Sequence, residues 1–187
     1  MKKMAMAIAV GAALVLTGCT AGEPAPEQAA SSLLEAHGLD GMQAVEIIDQ
    51  LDRTAVAERD TGLMASVRAD SLLITDGQEE VSLELPGDRF YVSVAPYVSQ
   101  THDCYYHSLT TCLGELSQEE VDLRVTDSDG AVLLDEAVTT FDNGFVGVWL
   151  PRDVTGTIEI SVDGMSGSAS FATTGDGATC ITTLQLA

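Results

Sequence analysis

The chain is poor in positive charge. Its only lysines, Lys2 and Lys3, stand at the start, and the remaining residues carry six arginines against 29 acidic residues. A surface this acidic repels nucleic acid and anionic lipid headgroups, which excludes both as electrostatic partners. No internal repeat, glycine-rich phosphate loop or Ser-His-Asp arrangement stands out. CxxC is absent, which argues against a thioredoxin-type site. Long apolar runs are missing except for Met4–Leu16, and that run is too short for a permanent span of a ~30 Å bilayer core, which needs ~20 residues. Histidine is scarce, at three residues, and cysteine numbers four. The scarce residues therefore carry most of the information.

The opening segment has the layout of an export signal: a positive start, an apolar run, then small residues. It ends in Leu16-Thr17-Gly18-Cys19, which resembles the lipobox of bacterial lipoproteins. The expectation is removal of residues 1–18 and lipidation of Cys19, placing the protein on the extracytoplasmic side of a bacterial membrane. Residues 19–32, small, polar and Pro-containing, read as a flexible tether. The 169 residues left after cleavage carry a formal charge of −23 and suffice for one domain with a small helical annex. The acidic residues are scattered and read as a solvated surface, while the apolar content of 45% marks a folded chain.

With Cys19 used for lipid, three cysteines remain: Cys104, Cys112 and Cys180. An exported protein sits where disulfides form. An odd set leaves one thiol over, paired with another chain, or held by a metal.

Residues 33–62 read as helical. Leu33, Leu34 and His37 share one helical face, and Gly38 can end that turn. Asp40 is suited to N-cap a second helix. In that helix Met42, Val45, Ile48 and Leu51 form an apolar stripe widened by Ala44 and Ile47, with Glu46, Asp49, Asp52 and Arg53 on other faces. From residue 63 to 187 the texture is short β-rich runs. Strands are expected at Met64–Ile74, Glu80–Leu85, Phe90–Pro96, Cys104–Thr110, Val121–Thr126, Ala131–Leu134, Gly144–Leu150, Thr157–Val162, Ser168–Thr173 and Cys180–Leu186. Asp76-Gly77, Pro86-Gly87, Asp129-Gly130, Asn143-Gly144 and Asp163-Gly164 mark turns between them. The fold class expected is α+β: short N-terminal amphipathic helices followed by a mainly antiparallel β-sandwich-like domain.

The chemistry concentrates in Thr101-His102-Asp103-Cys104-Tyr105-Tyr106-His107-Ser108-Leu109-Thr110-Thr111-Cys112. A hairpin turning near Ser108 would set Cys104 opposite Cys112, with His102 on the same face as Cys104. Cys180, opening the last strand, could bring a third sulfur. Thiolate and imidazole together favour Cu(I) or Zn(II) over Mg(II) or Ca(II). Three sulfurs and a histidine suit copper somewhat better than zinc, which usually takes four ligands in a structural site. The competing reading is a structural Cys104–Cys112 disulfide with Cys180 a buried spectator. Met42, Met64 and Met165 lie far apart and read as core.

The strings THDCYYHSLTTCLGEL, TTFDNGFVGVWLPRD and TCITTLQL, with LLEAHGLDGMQAVEIIDQLD and SVAPYVSQTHDC, resemble the CueP family of bacterial copper-binding, copper-resistance proteins. The resemblance covers about residues 33–187. It implies an exported protein that binds copper and is linked to supplying an exported Cu,Zn superoxide dismutase. It further implies a dimerising N-terminal part and a β-rich C-terminal part holding the metal. Cys104, Cys112 and Cys180 match the family's copper-site cysteines, and His102 and His107 match histidines beside them. A lipid anchor departs from the soluble members of the family. The function expected is sequestration of copper, most readily as Cu(I), on the extracytoplasmic side of the membrane, with room for delivery to a client cuproenzyme and for reloading by a thiol reductant. The alternatives are a thiol-dependent copper reductase or thiol oxidoreductase, and a metal-free surface β-domain with one disulfide.

Overall fold

The computed structural model describes residues 32–175 and 177–187. The expected signal segment, Cys19 and the tether up to residue 31 lie outside them. Helix α1 occupies 32–36 and stops at Gly38, whose φ of 68° is the left-handed geometry of a helix C-terminus. Helix α2 runs Ala44–Arg53. Asp40 is not its N-cap. A second left-handed glycine, Gly41, turns the chain first, so the cap falls on Gln43, whose N–H donates to the Glu46 carboxylate at 2.8 Å. A short 3-10 turn, Val56–Glu58, follows. Among the described residues no helix is long and apolar enough to cross a membrane.

Three sheets follow among the described residues. The first holds β1 (Met64–Val67), β2 (Ser71–Thr75) and β3 (Glu80–Glu84) in that order. The single strand expected over Met64–Ile74 is thus two. The run is long enough to fold on itself: Arg68 N–H bonds Ser71 O at 2.7 Å, and Val67 pairs with Leu72. The second sheet places β4 (Arg89–Val94) between β7 (Val146–Pro151) and the two-residue β10 (Cys180–Ile181), which runs parallel to β4. The third has the order β6-β5-β8-β9, from β5 (Glu120–Asp127), β6 (Val132–Thr139), β8 (Thr155–Val162) and β9 (Met165–Ala172), all antiparallel. Strand β6 extends past the expected Leu134. It is an edge strand with an irregular, mostly exposed burial pattern, so its second half carries no apolar signal.

Strand β4 separates two cores. Its side chains alternate in direction. Phe90, Val92 and Val94 share one core with Val121, Leu123 and Val125 of β5 and with Ile158 and Ile160 of β8. Tyr91 faces the other way, into a core built from α1, α2 and the β1–β3 sheet, where Leu33, Ile47, Ile48, Leu72 and Ile74 are buried. The fold is α+β, with short helices and a β-sandwich-like, mainly antiparallel body.

Candidate metal centre

The segment from Thr101 to Gly114 is not the expected hairpin. Residues 104–110 form no strand; they make an irregular loop stitched to its surroundings by backbone bonds. Val67 N–H donates to His107 O at 2.8 Å, Leu109 N–H to Ala65 O at 2.9 Å, and Cys180 N–H to Tyr105 O at 3.1 Å. The Thr179 hydroxyl bridges, accepting from His107 N–H at 3.0 Å and donating to Val67 O at 2.7 Å. Edge β1, through one antiparallel bridge between Ser66 and Ser108, and short β10 therefore hold this loop between them, which satisfies its buried polar backbone although it forms no strand of its own. A tight turn then brings Cys112 back, with Cys112 N–H on Ser108 O at 3.1 Å and Ser108 N–H on Cys112 Sγ at 3.4 Å. Beyond it, Glu115 accepts the N–H groups of Val98 and Ser99 at 2.7 and 2.9 Å, tying the approach to His102 to the segment after Cys112. The Ser99 hydroxyl and these N–H groups hold its carboxyl at about 2.

The three sulfurs converge. Cys104 is disulfide-bonded to Cys180, with Cα atoms 5.7 Å apart, and Cys112 is a free, buried thiol. The pairing expected for a structural disulfide, Cys104 with Cys112, is replaced by Cys104 with Cys180, because β10 rather than a hairpin arm lies against Cys104. Cys112 is nonetheless adjacent: its Sγ is 3.6 Å from Cys104 Sγ. Two ligand triads result. His102, Cys104 and Cys112 offer atoms within 4.8 Å of one another, and so do His107, Cys112 and Cys180. Cys112 belongs to both. Phe145 lies under the cluster, 4.6 Å from the His107 ring and 6.3 Å from the His102 ring, and with Ala95, Cys112 and Cys180 it forms a small apolar core.

His102 is exposed at the mouth, whereas His107 is fully buried. The Nδ1 of His107 lies 3.7 Å from Cys180 Sγ. Its Nε2 lies 2.9 Å from Oδ1 of Asp52, itself fully buried on α2. Asp52 also accepts from Tyr91 Oη at 2.5 Å and from Asn143 Nδ2 at 2.8 Å. Burial alone would raise the Asp52 carboxyl, but the charge and hydrogen bond of His107, with bonds from Tyr91 and Asn143, outweigh it and hold the carboxyl below 3.8. Burial alone would lower His107; the Asp52 charge and hydrogen bond, assisted by Cys112, push it up to about 9. Burial likewise works to raise Cys112, and the hydrogen bond and charge of His107 bring it below 9.0. The cluster is a thiol–imidazole–carboxylate chain reaching from the surface to helix α2. With the Cys104–Cys180 bond reduced, its three thiols and two imidazoles suit a soft monovalent or borderline divalent cation rather than Mg(II) or Ca(II).

All five site residues read from the sequence therefore gather in one place. Asp52, Tyr91 and Asn143 are not among them. The apolar stripe puts Asp52 on another face of its helix, although it lies four residues beyond Ile48, in line with Ile48 and Ala44; that spacing is the available signal. Asn143 reads from the sequence only as a turn residue. Met64, expected in the core, is 57% exposed at the start of edge strand β1.

The model of the family of the periplasmic copper-binding protein CueP matches residues 46–185. The solved crystal structure of S.CueP superposes with a TM-score of 0.79 at 41% identity, over 84% of this chain and 97% of that one. No curated protein matches. The matched span contains Asp52 and all three cysteines of the cluster, and with it the chain belongs to the CueP family of periplasmic copper-binding proteins.

Proposed function

We propose that this protein binds copper as Cu(I) through Cys104, Cys112 and Cys180, with His102 and His107 beside the sulfurs. It acts outside the cytoplasm, lipid-anchored through Cys19. There it sequesters copper, hands it to an exported cuproenzyme such as a Cu,Zn superoxide dismutase, and so contributes to copper resistance. The helical part, residues 33–62, is the dimerisation part in this reading. The observation that carries the proposal is the meeting of three sulfurs and two imidazoles in two triads sharing Cys112. Thiolate donors favour Cu(I), which is content with two or three of them.

The cysteine pairing supports a redox cycle. With Cys104 joined to Cys180, two of the three sulfurs are tied up. A dithiol reductant supplies two electrons and two protons, opens that bond and becomes a disulfide itself. Three thiols then face one another, and Cu(I) entry releases their protons.

Titration of the fully reduced protein with Cu(I), and separately with Zn(II), against a competing chelator tests the reading. Stoichiometric Cu(I) binding is expected, with zinc weaker. Unchanged Cu(I) binding in a Cys104→Ser/Cys112→Ser/Cys180→Ser protein refutes it. For the anchor, mass spectrometry of the mature protein is expected to show Cys19 as the N-terminal residue carrying a lipid; an unmodified Cys19 refutes lipidation there.

The same pairing favours a second reading, as a copper reductase. Two thiols closing to the Cys104–Cys180 bond release two electrons, enough to reduce two Cu(II) to Cu(I). Many turnovers with excess dithiol would support an enzyme; a single stoichiometric reduction supports binding alone.

A further inference from the structure

Asp52 is a carboxylate with no exposure, carried by a helix outside the cysteine-bearing loop. A buried carboxylate is costly unless its lone pairs are satisfied. Here every partner acts as a donor. Tyr91 can give only its hydroxyl proton to the carboxylate. The Asn143 amide is oriented by its own bonds: Oδ1 accepts Phe145 N–H at 2.9 Å, so Nδ2 must be the group that reaches Asp52 Oδ1 at 2.8 Å. Nδ2 also donates to the backbone carbonyl of Asp52 at 3.0 Å, which fixes the residue at both ends. The Ser93 hydroxyl donates to Oδ2 at 3.4 Å, and since an ionised carboxylate is an acceptor only, His107 Nε2 must donate as well. In a neutral imidazole that assigns the proton to Nε2 and the lone pair to Nδ1. Nδ1 is the nitrogen facing Cys180 and Cys112.

We infer that Asp52 is the positioning residue of the metal centre: by accepting the Nε2 proton of His107 it makes Nδ1 a ligand atom aimed at the sulfurs. Buried carboxylate partners of ligating histidines set tautomer and ring orientation in this manner. The inference rests on the reading of the cluster as a copper site. It assigns α2 a role in that site: the helix delivers the acceptor that turns His107 from a buried ring into a donor.

The test uses the reduced, Cu(I)-loaded protein, since Cu(I) is diamagnetic. Nitrogen-15 NMR of the wild type is expected to show the His107 proton on Nε2, and X-ray absorption to show copper–nitrogen ligation beside copper–sulfur. The Asp52→Leu protein keeps roughly the size of the side chain but offers Nε2 no acceptor, so nothing holds the proton there and Nδ1 is no longer kept as the lone-pair nitrogen. Loss of the copper–nitrogen contact and a roughly 10–100-fold weaker Cu(I) affinity are expected, with sulfur ligation retained. Tyr91→Phe removes one bond to the same carboxylate but leaves it an acceptor, so tautomer and nitrogen ligation are expected to survive. A purely structural role would make the two variants alike. The inference is overturned if wild-type His107 carries its proton on Nδ1, a result that needs no variant to fold. It is also overturned if Asp52→Leu keeps nitrogen ligation and wild-type affinity. Copper held by sulfur alone in the wild type overturns this inference only, whereas no Cu(I) binding at all overturns the copper reading and this with it.

Discussion

Cys112 has His107 on one side and Cys104 on the other, so its charge state is tied to theirs. The pair has a measurable pH signature in the metal-free protein with the Cys104–Cys180 bond intact. His107 is raised by folding from 6.5 to about 9, so its contribution to stability is complete below pH 6.5 and is lost as pH rises through about 9. Cys112 is lowered by folding, so its contribution is present above 9.0 and is lost as pH falls through its folded value. The two slopes oppose each other in the same window, and Asp52, held below 3.8, does not titrate there. A Cys112→Ser protein keeps only the histidine slope. Its stability is expected to fall as pH rises above 6.5, by at most about 1.4 kcal/mol per pH unit and over a shorter range than in the wild type because Cys112 no longer helps to raise His107, while the wild type stays flatter. Urea midpoints at half-unit steps measure this, and a flat Cys112→Ser profile contradicts it. At this scale the sulfur and imidazole residues are legible in the sequence, because soft donors clustered in eleven residues are conspicuous. Asp52 is not, because a carboxylate on a helix looks the same from its sequence whether it meets water or a buried histidine.

Among the elements, β7 and β4 make the Asp52 contact sterically feasible. Gly147 on β7 pairs with Ser93 on β4, and a Cβ there would run into the Tyr91 hydroxyl and sit 3.1 Å from Asp52 Oδ2. Tyr91 is buried and cannot swing clear. Gly147→Ala is therefore expected to cost about 1–3 kcal/mol, typical of overpacking, and to weaken the Tyr91–Asp52 bond. Gly87→Ala, where a Cβ meets nothing within 4 Å, is the control and is expected to change stability little. Denaturant melts of both compare them; equal effects would contradict the argument. Element types with strong periodicity, such as α2 and β5, are readable from the sequence. The 101–114 loop reads wrongly as a hairpin, because alternation of polar and apolar residues also arises where a loop is held by separate neighbours, here Ala65, Val67 and Thr179.

For the whole molecule, the Cys104–Cys180 bond closes a segment with a sequence separation of 76 residues, spanning β5 to β9. A chain-entropy account puts a closure of that length at about 4.5 kcal/mol. Reduction is expected to lower the unfolding midpoint in urea accordingly, and Cu(I), by joining the same segments in the folded state, is expected to restore much of the loss. A reduced protein whose midpoint does not move on adding one equivalent of Cu(I) would contradict this.

Local composition and periodicity determined the class of the fold and the donor types of the site, since both depend on which side chains lie near one another along the chain. Which cysteine pairs with which, and what stands behind His107, depended on contacts across wide sequence separations. Only the packing of β10 against β4, and of α2 against the 104–112 loop, brought Cys180 to Cys104 and Asp52 to His107. Those contacts follow from burial and strand pairing summed over the whole chain, and no short segment encodes them alone.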